Sequence, residues 1–127
     1  MEKRKPIRSF EDLIVWQMAI ALVKQIYLVT NAGALKMDFG LKDQIPRASV
    51  SIPTNVAEGF ERASRKEYLQ FLNIAKGSAG EVRSLLRVAF EIGYLRKTSY
   101  DELSNSVARL SAYLFNQMKA IRAATGA

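Results

Sequence analysis

The chain contains no cysteine and no histidine. That excludes disulfides, thiolate and imidazole metal sites, and the usual nucleophile and base pairs of enzymes. Long apolar runs are missing as well: no stretch of about 20 residues is free of charge, so no membrane span is expected. Prolines number three and glycines seven in 127 residues, and no β-type alternation persists over a useful length. The remaining pattern is helical.

Acidic residues are also in short supply. Against 12 Asp and Glu stand 19 Lys and Arg, giving a formal charge of +7 and a pI of about 9.9. Such a surplus favours a polyanionic partner, either nucleic acid or an acidic protein. The opening MEKRKPIR, the apolar LIVWQMAIALV and the later AGA mimic a secretory signal. Glu11, Asp12 and Gln17 interrupt that pattern, and helical spacing continues to Tyr27, so a helix in a cytoplasmic protein is expected instead.

Four amphipathic segments follow from the spacing of apolar residues. The first starts at Ser9 as N-cap with Asp12 three residues on; its stripe is Leu13, Trp16, Ile20, Val23 and Tyr27, widened by Ile14, Met18, Ala21 and Leu28. The second runs from about Leu41 to Phe60 on Leu41, Ile45, Ala48, Ile52 and Val56, with a late start at Asp43 that would put Pro46 in the first turn. Pro53 has no such position and should break the bond to the Ser49 carbonyl and kink the helix. The third opens with a capping box, Ser64 and Glu67, and carries Tyr68, Phe71, Ala75, Ala79, Val82, Leu86 and Ala89 as far as about Gly93. The fourth opens with a second box, Ser99 and Glu102, and continues as Leu103, Val107, Leu110, Leu114, Met118 and Ile121, close to a heptad seam. Short connections between such segments predict an all-α fold, an antiparallel up-and-down four-helix bundle over residues 9–122, with a flexible basic N-terminus at 1–8 and a frayed tail at 123–127.

Beside the apolar stripe of the second segment lies a row of small and polar residues: Gln44, Ala48, Ser51, Asn55, Glu58 and Arg62. It would let another helix approach closely and be met by hydrogen bonds, with Glu58 and Arg62 at pairing distance. Asn55 is a candidate donor for the carbonyl that Pro53 frees. In AKGSAG, residues 75–80, Gly77 and Gly80 each weaken a helix by about 1 kcal/mol against alanine, which points to close packing rather than a phosphate loop. Trp16 and Tyr27 are expected in the core, and Tyr94 and Tyr100 as the exposed rings.

On the third segment Arg65, Lys76, Arg83 and Arg87 fall near one azimuth, a basic line able to track phosphates without reading bases. Leu69 and Leu72 lie close to the same line, so arginine stems covering apolar surface are the alternative. The tip KRKPIR at 3–8 is a second candidate for phosphate contact. The close acidic pairs, Glu58 with Glu61 and Asp101 with Glu102, do not converge on one helix face as a two-metal site requires, so no metal, cofactor or catalytic residue is expected.

FEDLIVWQ (10–17), FGLKDQIPRASVSIPTNVAEGFERASRKEYLQFLNIAKGSAGE (39–81) and the LL..AFEIGYL pattern of 85–95 resemble the small four-helix bundle proteins encoded in intervening sequences of bacterial 23S ribosomal RNA genes. These are similar to the accessory variability determinant of diversity-generating retroelements. The resemblance implies a ring-like homopentamer with a basic surface and, from the retroelement relatives, an RNA or DNA partner and a reverse transcriptase. It also implies that SIPTNVAEG is a kinked, polar-lined helix whose Asn55 and Glu58 hold the bundle or its subunit contact together, with Ser51, Pro53 and, past its end, Arg62 as further contact residues. Glu58→Ala is then expected to lower the melting temperature or dissociate the oligomer. Pro46 stands where the family has a basic residue, leaving Arg47 alone for any phosphate contact at that point. The expected function is therefore a non-catalytic, oligomeric nucleic-acid binder, with a scaffold for an acidic protein partner as the alternative.

Overall fold

The computed structural model describes residues 6–124, so most of the basic tip and the end of the expected tail lie outside the described residues. Four helices account for the fold: α1 Ile14–Thr30, α2 Phe39–Phe60, α3 Arg65–Glu91 and α4 Lys97–Ala124. Each packs on the next and α1 closes on α4, which is the expected antiparallel up-and-down bundle. The α2–α3 seam is the most extensive and the α1–α4 seam the least. No strand occurs among the described residues.

α1 departs from its expected start and face. Asp12 does cap, its Oδ2 accepting the backbone N–H of Arg8 at 2.9 Å and of Ser9 at 3.1 Å, but the turn it closes is a 3-10 turn, Phe10–Asp12. Leu13 is extended, and the α-helix begins only at Ile14. Leu13 of the expected stripe is buried, but within α1 the buried residues are Val15, Ala19, Leu22, Ile26 and Thr30, whereas Tyr27 is 48% and Leu28 73% exposed. Apolar residues occupy most of this helix's circumference, so two stripes satisfied the same period and only the neighbouring helices selected one. Trp16 is half-buried, its ring centroid 5.4 Å from that of Phe10.

The N-cap of α2 lies five residues before the expected one. Asp38 is its N-cap, accepting the Leu41 N–H at 3.1 Å, and Asp43 instead pairs with Arg47 one turn on. Pro46 and Pro53 thus both lie inside the helix, which is assigned without interruption from Phe39 to Phe60. Seven residues apart, they share one buried face, and burial of the two rings opposes the penalty that proline imposes on a helix interior. The buried hydroxyls turn back on their own helices: Ser49 Oγ donates to the Pro46 carbonyl at 2.8 Å, and Thr30 Oγ1 to that of Ile26 at 2.9 Å.

At the start of α3, Ser64 Oγ accepts the Glu67 N–H at 3.1 Å and donates to the Glu67 carboxylate at 3.3 Å, so one arm of the expected box is backbone and the other is side chain. The helix ends at Glu91, two residues short of Gly93, because Gly93 takes a φ of +87° and Tyr94 N–H reaches back to the Ala89 carbonyl at 2.8 Å. This is a Schellman ending, which glycine enters without a Cβ clash. α4 begins at Lys97, with Tyr100 N–H bonded to the Arg96 carbonyl at 2.9 Å, so Ser99 is already inside the helix rather than capping it. Of the expected stripe, Leu103, Val107, Leu110, Leu114 and Met118 are buried and Ile121 is only partly so.

Candidate nucleic-acid interface

Two polar features are built on α3, one on each flank. Toward α2, the hydroxyls of Ser51 and Ser78 lie 2.9 Å apart. Asn55 Nδ2 donates to the Ser51 carbonyl at 2.8 Å and to its hydroxyl at 3.0 Å, and not to the carbonyl freed by Pro53. Beyond them, Arg62 stands 3.6 Å from Glu58 and 3.7 Å from Glu67, with its guanidinium 4.8 Å from the Phe71 ring centroid. Of the polar row, Ser51 and Arg62 thus reach α3 of the same chain, while Asn55 bonds back to α2.

The close approach along this seam is made by Gly59, where a Cβ would sit 2.7 Å from Phe71 Cβ and 3.1 Å from the Tyr68 ring. Gly77 and Gly80, expected to serve that purpose, are exposed, and a Cβ on either would meet nothing within 4 Å. Ala75 and Ala79, on the buried face of the same segment, are the small residues that admit the neighbouring helices. Gly59 stands one residue from the end of α2, where glycine ordinarily signals helix termination, and that masked its packing role.

Toward α4, a cleft of about 350 Å³ is lined by Gly80, Arg83, Ser84, Arg87, Tyr100 and Ser104. Arg83 and Arg87 are one helical turn apart, about 6 Å along the axis at 1.5 Å per residue. Arg87 Nε donates to Glu91 at 2.7 Å across an exposed pair. Hydrogen bonding from Arg87, and next from Ser104, holds the Tyr100 hydroxyl below the ordinary tyrosine range, and the same contact with Tyr100 raises Arg87. Tyr100 is not the free stacking ring expected: it is stacked on Phe90 at 4.5 Å and 11°.

The rest of the basic line is dispersed. Arg65 Nη1 donates to the Ala124 carbonyl at 2.6 Å, tying α3 to the end of α4. Lys76 is half-buried on the rim where Leu72 is fully buried. Arg47 lies elsewhere, paired to Asp43 in a cleft with Tyr27, Pro46 and Val50. Of the five cations singled out, the fold brings Arg83 and Arg87 together. Ser84 and Ser104, which complete the cleft, carried no signal in the sequence, because a serine on an amphipathic helix is ordinarily only solvated.

A second open region lies at the α1–α4 seam. A cavity of about 650 Å³ is bounded by Ile7, Asp12, Leu13, Ile14, Tyr113 and Gln117, and Ile14 and Tyr113 are 55% and 41% exposed. No helix among the described residues is long and apolar enough to cross a membrane.

These features define a small helical bundle with a basic, hydroxyl-lined cleft. More particularly, the chain belongs to the 23S rRNA-intervening sequence protein family, whose model matches residues 11–116. Among solved structures, the fold is similar to that of a protein with unknown function from the S23 ribosomal protein family of Bacteroides thetaiotaomicron VPI-5482. The TM-score is 0.78 at 23% identity, over 84% of this chain and 96% of that one. No curated protein matches the sequence.

Proposed function

We propose that this protein is a non-catalytic, oligomeric nucleic-acid binder of the cytoplasm that grips phosphates in the cleft between α3 and α4. The observation that carries this reading is the pairing of Arg83 with Arg87 in a cleft whose other lining residues are Gly80, Ser84, Tyr100 and Ser104, without a carboxylate among them. Guanidiniums and hydroxyls hold phosphate oxygens, and contacts confined to phosphates carry no sequence information, so binding through this cleft is sequence-tolerant and strongly salt-dependent. A chain charge of +7 adds long-range attraction.

Self-assembly is supported by the apolar α1–α4 opening, where Ile14 and Tyr113 are exposed. A homopentamer is the assembly that the family resemblance suggests, and a reverse transcriptase is a further partner on the same ground. Arg109, beside Ile14, Met18 and Tyr113, favours a second reading in which this apolar opening receives an acidic protein.

The test is light scattering and RNA titration of the full chain at low and moderate salt, with an unrelated polynucleotide as competitor. A species near five times 14.2 kDa that binds mixed-sequence structured RNA in a salt-sensitive manner is the expected result. Arg83→Ala should weaken binding and reduce the salt slope by about one. A monomer indifferent to RNA overturns the reading and directs attention to an acidic protein partner.

A further inference from the structure

We infer that the cleft between α3 and α4 is a site for a phosphate monoester, preferring a phosphate end to the diester inside a strand. This rests on the nucleic-acid reading above and states what its central cleft holds.

The first support is the concentration of charge. A surface that follows a strand spaces its cations along the path, but here Arg65 is bound to the Ala124 carbonyl and Lys76 is half-buried. Arg83 and Arg87 remain, in one cleft near the lower end of the size range of small-ligand sites.

The second is donor number. The hydroxyls of Ser84, Tyr100 and Ser104 join the two guanidiniums around one volume. A diester offers two free oxygens and a single charge, whereas a monoester offers three strong acceptor oxygens and about −1.5 to −2 charge near neutral pH. Glu91 occupies Nε of Arg87 and the Tyr100 hydroxyl takes a further bond from the same guanidinium, so the remaining N–H groups of Arg87 are those an anion can take, and the exposed Glu91 pair opposes it only weakly.

The third is that the cleft offers donors and no platform. Phe90 stacks on one face of Tyr100 and the Arg87 guanidinium stands 6.0 Å from the ring centroid, so the ring is already engaged within the chain. Gly80, whose missing Cβ no neighbour in the chain requires, keeps the space open at the expense of helix propensity.

The experiment compares one short single-stranded RNA carrying a 5′-phosphate, a 3′-phosphate or hydroxyls at both ends. Anisotropy with the full chain at constant ionic strength gives the affinities, and uridine 5′-monophosphate serves as a free competitor. At least one phosphate-ended strand should bind about tenfold more tightly than the hydroxyl-ended strand. Ser104→Ala, which carries no charge change, should cut the affinity for the phosphate-ended strand far more than that for the hydroxyl-ended strand, and so abolish the preference. Gly80→Leu, which fills the cleft, should abolish it too. Competition by the mononucleotide as strong as by the phosphate-ended strand assigns the site to free nucleotides; weak competition assigns it to strand ends, and either supports the monoester. Equal, salt-sensitive binding of all three strands overturns the inference and leaves the nucleic-acid reading standing. Absence of binding to any strand overturns both.

Discussion

Ser51 on α2 and Ser78 on α3, 27 residues apart in sequence, share a 2.9 Å hydrogen bond between their hydroxyls, and Asn55 donates a further bond to Ser51. A small polar cluster thus fixes the register of the two helices that pack most extensively. The bond is part-buried, and its loss leaves a hydroxyl short of a partner. Ser78→Ala should destabilise the fold by about 1 kcal/mol, read as a fall of roughly 3–5 °C in melting temperature. A double-mutant cycle with Ser51→Ala should show coupling between the sites, since residues in one hydrogen-bond network are not additive.

The glycines divide by what surrounds them. Gly59→Ala places a methyl 2.7 Å from Phe71 Cβ, which belongs to the stem of a side chain fixed to α3, and should destabilise by about 1–3 kcal/mol through overpacking. Gly77→Ala meets open space and removes a flexible residue from a helix interior, so it should stabilise the isolated chain by roughly 0.5–1 kcal/mol. Urea denaturation of the two variants should move the midpoint in opposite directions.

Glu58 pairs with Arg62 at 3.6 Å through side chains that are about half exposed. Exposed pairs at this spacing contribute about 0.3–0.5 kcal/mol, so Glu58→Ala should change the melting temperature of the monomeric bundle only slightly. A large loss of stability that depends on protein concentration would show instead that Glu58 is covered by a second subunit.

Two tyrosines should titrate on opposite sides of the ordinary value. Burial raises Tyr68, while hydrogen bonding from Arg87 and then Ser104 lowers Tyr100. As pH rises, Tyr100 should therefore ionise first and Tyr68 later, observable by NMR of ring-labelled tyrosine. Arg87→Ala removes the principal cause and should move Tyr100 upward while leaving Tyr68 in place.

The helices and their order were legible because their signals are local. Ser64 with Glu67, the glycine at 93 and the heptad-like spacing from Leu103 to Met118 each act within a few residues, where capping and periodicity operate. Starts were less legible where a stronger competitor lay nearby. Asp43 made a plausible cap for a helix that had to avoid Pro46, yet Asp38 caps it, because burial of a proline ring on a packed face outweighs the local penalty. The paired cations of the candidate site were visible on α3, but not which of them would be drawn into other contacts, since Arg65 is engaged by a carbonyl 59 residues away.

The sequence by itself determined four amphipathic helices, a bundle and a basic surface, because charge, periodicity and chain length are properties of residues in order. Only the tertiary structure decided which of two overlapping stripes on α1 is buried, that Gly59 rather than Gly77 or Gly80 permits close packing, and that Arg83 and Arg87 meet Tyr100 and Ser104 across a cleft. Each of those outcomes depends on the rotation and separation of neighbouring helices. Those quantities follow from the packing of side chains distant in sequence, which no local pattern encodes.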